Sequence, residues 1–230
     1  MFAIKKQGAS NFTEVHILSA AHTYQQFILN IPTVLGPTDN TWEFALAANR
    51  DLFAIKKQGG ASNFTEVHIL SAASTYQQFI LNIVPTALHP TDNTWTFALA
   101  KNRDLFAIKT QGGGTNSTEL HVLSAVSNYQ EFILQEGTAL HPTDVNWEFA
   151  VAANRDVFAI KKQGGATNST EVHVLSALSN YKQFILQEGT ALHPTDINWG
   201  FAITAGRDLF AIKKMNTGSN STEIHIIDIQ

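Results

Sequence analysis

One unit of about 52 residues is copied four and a half times along this 230-residue chain, and that self-similarity constrains the fold more than any local feature. The segment Phe-Ala-Ile-Lys starts at Phe2, Phe53, Phe106, Phe158 and Phe210, and the tryptophans fall at Trp42, Trp95, Trp147 and Trp199. The spacing is 51 to 53 residues, so the unit length is fixed. The units run 1–41 (incomplete), 42–94, 95–146, 147–198 and 199–230 (incomplete), within a single repeat domain over 1–230.

Inside each unit the apolar residues follow a period of two, which belongs to strands and not to helices. From Trp95 the predicted strands are Trp95 to Ala100, Asp104 to Lys109, Thr118 to Ala125 and Tyr129 to Gln135, joined by turn chemistry such as Gly112-Gly113-Gly114-Thr115-Asn116 and His141-Pro142-Thr143-Asp144. No long helical stripe occurs, so helix content is predicted to be very low. A four-stranded antiparallel sheet with apolar residues on both faces must bury them against its neighbours, and radial stacking does so while leaving short edges. The expected fold is therefore an all-β propeller of about five four-stranded blades, with four blades plus extra strands as the alternative. The strand types sum to 18, two short of five full blades, because the chain starts at a second strand and ends at a third. Unpaired edges recruit partners, so a homo-oligomer formed through the incomplete terminal blades is an expectation.

With 44% apolar and 15% charged residues the chain can build a core, and its net charge of −4 offers no basic field for nucleic acid. No apolar run approaches the roughly 18 residues that would cross a bilayer as a helix, so no membrane insertion is expected. Met1-Phe2-Ala3-Ile4-Lys5-Lys6 does not read as a secretory signal, which leaves a cytosolic protein, export by another route, or a missing start. The absence of cysteine excludes disulfides, thiolate metal sites and cysteine nucleophiles.

Together, Trp95-x-Phe97-Ala98-Leu99-Ala100, Arg103-Asp104-Leu105-Phe106-Ala107-Ile108-Lys109, Ser117-Thr118-Glu119-Leu120-His121-Val122-Leu123-Ser124 and Tyr129-Gln130-Glu131-Phe132-Ile133-Leu134 resemble the FG-GAP or VCBS-type repeat over essentially the whole chain. The resemblance implies a propeller of the kind found in integrin-like receptors, in modules of secreted proteins and in bacterial and fungal lectins. That family carries an aspartate-rich calcium loop between its first and second strands. Here the turn is only Ala47-Ala48-Asn49-Arg50-Asp51, with equivalents at Lys101 to Asp104, Ala153 to Asp156 and Ala205 to Asp208. One carboxylate beside an arginine cannot coordinate calcium, so no metal and no cofactor is expected, with the neighbouring Arg and Asp bracing the turn instead.

Three features could carry function. Glu14 and His16, Glu66 and His68, Glu119 and His121, Glu171 and His173, and Glu223 and His225 put an acid and an imidazole on one strand face. That spacing could serve a metal or a general base, but hydrogen bonding between blades is the reading preferred, since a catalytic pair is needed once. The second is the loop before each first strand: Asp39 before Trp42, His89 and Asp92 before Trp95, His141 and Asp144 before Trp147, and His193 and Asp196 before Trp199. An aspartate acceptor, an imidazole and an indole for stacking suit a saccharide, against the plainer roles of turn former and blade packing. The third lies on the opposite face, where Asn49 and Arg50, Asn102 and Arg103, and Asn154 and Arg155 sit near Tyr24, Tyr76, Tyr129 and Tyr181. Five Asn-x-Thr triplets, at Asn11, Asn63, Asn116, Asn168 and Asn220, are read as turns. No nucleophile elbow, phosphate loop or dinucleotide fingerprint occurs. The functional expectation is a non-enzymatic, multivalent lectin whose partners are glycans or glycoproteins; the alternative is a protein-binding or adhesion scaffold.

Overall fold

The computed structural model describes residues 1–204, 206–215 and 221–229. Ala205, in the last of the Arg–Asp turns, and Asn220, in the last Asn-x-Thr triplet, lie outside the described residues. The described residues hold no α-helix, only two three-residue 3-10 turns at Ala20–His22 and Ala177–Ser179.

Among the described residues eighteen strands form five antiparallel sheets, which are the five blades; the reading with two surplus strands is set aside. Blade 1 has three strands, β1 (Phe2–Lys5), β2 (Glu14–Leu18) and β3 (Phe27–Pro32). Blade 2 comprises β4 (Trp42–Leu46), β5 (Leu52–Lys56), β6 (Glu66–Leu70) and β7 (Phe79–Pro85). Blade 3 comprises β8 (Trp95–Leu99), β9 (Leu105–Lys109), β10 (Glu119–Leu123) and β11 (Phe132–Gly137). Blade 4 comprises β12 (Trp147–Val151), β13 (Val157–Lys161), β14 (Glu171–Leu175) and β15 (Phe184–Gly189). Blade 5 again has three, β16 (Trp199–Ile203), β17 (Leu209–Lys213) and β18 (Glu223–Ile227).

The fourth strand starts later than the sequence suggests. Tyr129 and its equivalents Tyr24, Tyr76 and Tyr181 are not strand residues but turn residues with φ between 61° and 65°. Each follows a Thr or Asn that is also left-handed, at φ 49° to 51°. Two consecutive left-handed residues are costly, and tertiary contacts hold them. The Tyr129 amide donates to Ser124 O at 2.8 Å, and its hydroxyl donates to Arg103 O at 3.3 Å. Burial pushes the Tyr129 phenol up to about 12.

The chain divides into two compact units, Met1–Asn93 and Thr94–Gln230. In the first, Val15, Leu35, Leu52, Ala54, Leu70 and Tyr76 form a core between blades 1 and 2. In the second, Phe106, Ile108, Leu120 and Val122 of blade 3 pack against Phe149, Val157, Ala159 and Leu175 of blade 4. The other face of blade 4, with Phe158, Ile160, Val172 and Val174, packs on Phe201, Leu209 and Ala211 of blade 5. Both faces of an inner blade are thus apolar because both are covered, which is why the second strands read as unbroken hydrophobic runs.

Arginine braces the blades differently from the expectation. Arg155 does not pair with its neighbour Asp156; its Nη1 donates to Asp104 Oδ2 of the preceding blade at 2.8 Å. Arg207 likewise reaches Asp156 Oδ2 at 2.6 Å. The left-handed arginine backbone, φ 74° at Arg155 and 73° at Arg207, turns the side chain away from the adjacent carboxylate and across the interface.

Candidate functional site

A cleft of about 730 Å³ opens between blades 3 and 4. Its floor is the upper part of one face of blade 4, and its construction starts with a small residue. Ala159, fully buried on the central strand β13, lies in register between Phe149 and His173. Its methyl group leaves that face of the central strand low, and Trp147, in register with Lys161 on the same face, reaches diagonally over the strand to His173. The Trp147 and His173 rings lie 5.1 Å apart, and His173 then meets Phe184 at 5.9 Å, forming a row of rings across the blade. The same Trp–His contact recurs at 4.9 Å for Trp42 and His68, 5.0 Å for Trp95 and His121, and 5.2 Å for Trp199 and His225. Lys161 holds its ammonium 5.5 Å from the centre of the Trp147 ring, within cation–π range.

His173 is held on both nitrogens. Nε2 faces Glu171 Oε2 at 3.3 Å and Nδ1 faces Gln187 Nε2 at 3.1 Å. The Glu–His pair therefore bonds within its own strand rather than between blades. Burial lowers the His173 pKa from 6.5, with partial opposition from Glu171, so the imidazole is neutral at pH 7. With Gln187 Nε2 donating to Nδ1, the proton resides on Nε2 and is donated to the carboxylate. Burial alone would raise the Glu171 pKa, but the Thr167 hydroxyl and amide both donate to its Oε1, at 2.9 and 3.0 Å, and hold it below the ordinary carboxylate range. The glycine pair before it has a reason: Gly164 sits at φ +73°, and a Cβ on Gly165 would come within 2.3 Å of the Glu171 carboxyl carbon.

The upper wall is the loop from His141 to Asn146. It is anchored from below by Thr143, 4% exposed, whose amide donates to Thr110 O at 2.7 Å and whose hydroxyl meets Thr118 Oγ1 at 3.3 Å. Thr118 Oγ1 also donates to His141 O at 2.9 Å. The Asn-x-Thr triplets at Asn116 and Asn168 are turns, as expected, with both asparagines left-handed at φ 53° and 51°. Their threonine is the buried peg for the following loop. Asp144 shapes the loop too, accepting from Asn146 N at 2.9 Å and from Asn146 Nδ2 at 3.1 Å. Asn146 Oδ1 in turn accepts from Gln163 Nε2 at 2.7 Å.

The cleft thus gathers His141, Asp144 and Trp147, together with Gln111, Lys161, Gln163, His173, Phe184 and Gln187. The loop before the first strand and the loop between second and third strands share one end of the blade, as strand alternation requires. In blade 5, Asp196 accepts from Asn198 as Asp144 does from Asn146, and Lys213 lies 5.8 Å from the Trp199 ring; His193 is exposed. In blade 2, Asp39 accepts from the Thr41 amide at 2.8 Å and Lys56 lies 5.4 Å from the Trp42 ring. His89 and Asp92 are exposed in the last loop of the first unit, with His89 stacked on Phe64 at 5.1 Å. Trp95, in the second unit, carries Lys109 at 5.5 Å.

The opposite end is built differently. Asn49, Asn102 and Asn154 each donate Nδ2 to the aspartate two residues on, at 2.6 to 2.7 Å. Tyr76, Tyr129 and Tyr181 donate to the carbonyls of Arg50, Arg103 and Arg155. These groups, predicted as a second ligand surface, direct their hydrogen bonds into the protein. Among the described residues no three His, Asp or Glu side chains converge as a metal site would require, and no helix is long and apolar enough to cross a membrane. Lys161, Gln187 and the Trp–His row escaped the sequence reading, although the row's signal was present as Ala at the centre of every second strand. Compared with protein-family models and with curated proteins, the chain matches none.

Proposed function

We propose that the protein is a multivalent, non-enzymatic carbohydrate-binding protein of the FG-GAP or VCBS-like lectin kind, with saccharide seated in the cleft beside the His141-Pro142-Thr143-Asp144 loop and at the matching Trp–His–Lys sets of the other blades. The observation that carries this reading is the composition of the cleft between blades 3 and 4: aromatic Trp147 and Phe184 beside neutral amide donors on Gln111, Gln163 and Gln187. A sugar ring has apolar C–H faces and a rim of hydroxyls, and such a wall answers both. Lys161 adds a donor, Asp144 an exposed acceptor, and His141 an exposed imidazole at the rim. Since His173 and Glu171 are bonded to each other and to Gln187 and Thr167, the pair orients the cleft floor rather than supplying an acid or base.

The test is a glycan array followed by titration calorimetry with the best free sugar. Binding competed by millimolar monosaccharide is expected, with Trp147→Ala removing one class of site while the thermal midpoint of the other blades is kept. Array binding that no sugar competes away, or a Trp147→Ala protein with unchanged stoichiometry and enthalpy, would sink the reading and favour the protein-binding scaffold.

A further inference from the structure

Two adjacent lysines at the end of β13 have opposite fates, and the difference bears on what the cleft between blades 3 and 4 can hold. Lys162 is 8% exposed; it pairs with Glu148 Oε2 at 2.9 Å and donates to Trp199 O at 3.4 Å, so it braces blade 4 against blade 5. Lys161, one residue earlier, lines the cleft instead. Its ammonium lies 5.5 Å from the centre of the Trp147 ring, and among the described residues it forms no ion pair and no hydrogen bond.

The carboxylates of this region are engaged elsewhere. Glu171, in register with Lys161, accepts twice from Thr167 on Oε1 and takes the His173 Nε2 proton on Oε2. Asp144 accepts from Asn146 on both oxygens. A half-buried ammonium against an indole has thus lost part of its water and gained no anion in return. The arrangement recurs, with Lys56 at 5.4 Å from the Trp42 ring, Lys109 at 5.5 Å from Trp95 and Lys213 at 5.8 Å from Trp199. Blade 3 separates the roles of the two lysines. There Thr96 and Thr110 stand in place of Glu148 and Lys162, yet Lys109 keeps its position beside the indole. The cleft lysine therefore does not owe its place to the brace.

We propose, resting on the saccharide reading above, that the cleft selects an acidic sugar: a pyranose whose C–H face lies against Trp147 and whose ring carboxylate pairs with the Lys161 ammonium. The carboxyl carbon of such a sugar stands one bond outside the ring, so a ring seated on the indole carries its acid group toward the ammonium beside it. That contact is a charge-assisted hydrogen bond in a partly desolvated place, stronger than the neutral bonds available from Gln111 or Gln187. The amides answer the hydroxyls of the sugar, and Lys161 answers its charge. Trp–Lys sets in the other blades present the same pairing.

Matched methyl glycosides, titrated into the full chain by calorimetry, test this: glucoside against glucuronide and galactoside against galacturonide, with a methyl sialoside as a second source of the same acid group. The acid should bind about tenfold tighter than its neutral partner, the difference between a charge-assisted and a neutral hydrogen bond. Added salt should weaken the acid and leave the neutral sugar alone. Binding of the sialoside and of neither uronide assigns the acid to a sialic acid, and the reverse assigns it to a uronate. Lys161→Met should weaken acid binding by about the same tenfold at one class of site, whereas Lys161→Arg should retain it; both should fold with near-unchanged thermal midpoints. A neutral glycoside that binds as tightly as its acid, or a Lys161→Met protein with full preference for the acid, overturns the proposal and leaves the saccharide reading in place. Failure of every acid to bind by about 10 mM overturns it too. A glycan array from which no sugar competes the protein away removes both.

Discussion

Asp104 shows how much one side chain can carry here. It is 3% exposed and accepts from the Ala125 amide, the Asn102 amide group and Arg155. Burial would raise its pKa, but these donors hold it below the usual carboxylate range. Asp104→Ala strands three donors, and urea unfolding should show a loss of about 3 kcal/mol. Asp104→Asn keeps an acceptor and should lose less; equal losses would show that charge, not acceptance, is what matters. The histidines set a pH dependence. His68, His121 and His173 all have pKa values lowered from 6.5, with burial the leading cause. A base whose folded pKa is depressed binds fewer protons folded than unfolded, so its neutral form is tolerated in full above the unfolded value. Stability then falls as pH drops below 6.5 toward the lowered folded values. Thermal midpoints should be flat above pH 7 and decline from there to pH 5, and the triple variant His68→Gln, His121→Gln, His173→Gln should flatten that decline.

At the level of strands and turns, the repeat made most of the fold legible, because each element is displayed four or five times and its period is clear in every copy. The blade count and the in-register pairing of first, second and third strands follow from that. The start of the fourth strand was not legible: Tyr129 is an aromatic residue, a strand former by habit, and its bonds to the Ser124 and Arg103 carbonyls hold it in a turn. The partner of Arg155 was equally hidden, since Asp156 is adjacent in sequence while Asp104 lies 51 residues away. Half of the cleft could be read from the His-Pro-Thr-Asp loop and Trp147. Lys161 and Gln187 could not, and His173, singled out only as the partner of Glu171, could not be placed beside Trp147, because the strands must be laid side by side before they converge. The central strand offers a test. Ala159→Leu forces the Trp147 and His173 rings apart and should destabilise the protein by about 1–3 kcal/mol by urea unfolding. It should also abolish sugar binding in that cleft, whereas an unperturbed cleft would show that the ring row is incidental.

For the whole molecule, Trp–His–Lys sets recur in blades 2 to 5, so the proposed saccharide reading predicts several weak sites acting in parallel. Retention on a densely glycosylated surface should exceed affinity for the free sugar by about 10² to 10⁴, and removing Trp147 and Trp199 together should reduce surface retention far more than the loss per site. Surface plasmon resonance at high and low glycan density reads that difference directly. The arginine braces have a temporal implication as well. In blades 3 and 4 the aspartate waits for a guanidinium made 51 residues later, so Asp104 and Asp156 are completed only when Arg155 and Arg207 leave the ribosome. In blade 5 Asp208 instead takes the hydroxyl of Thr204, four residues before it. The bracing of blades 3 and 4 thus runs one way along the chain, each aspartate being held by an arginine of the blade that follows it in sequence.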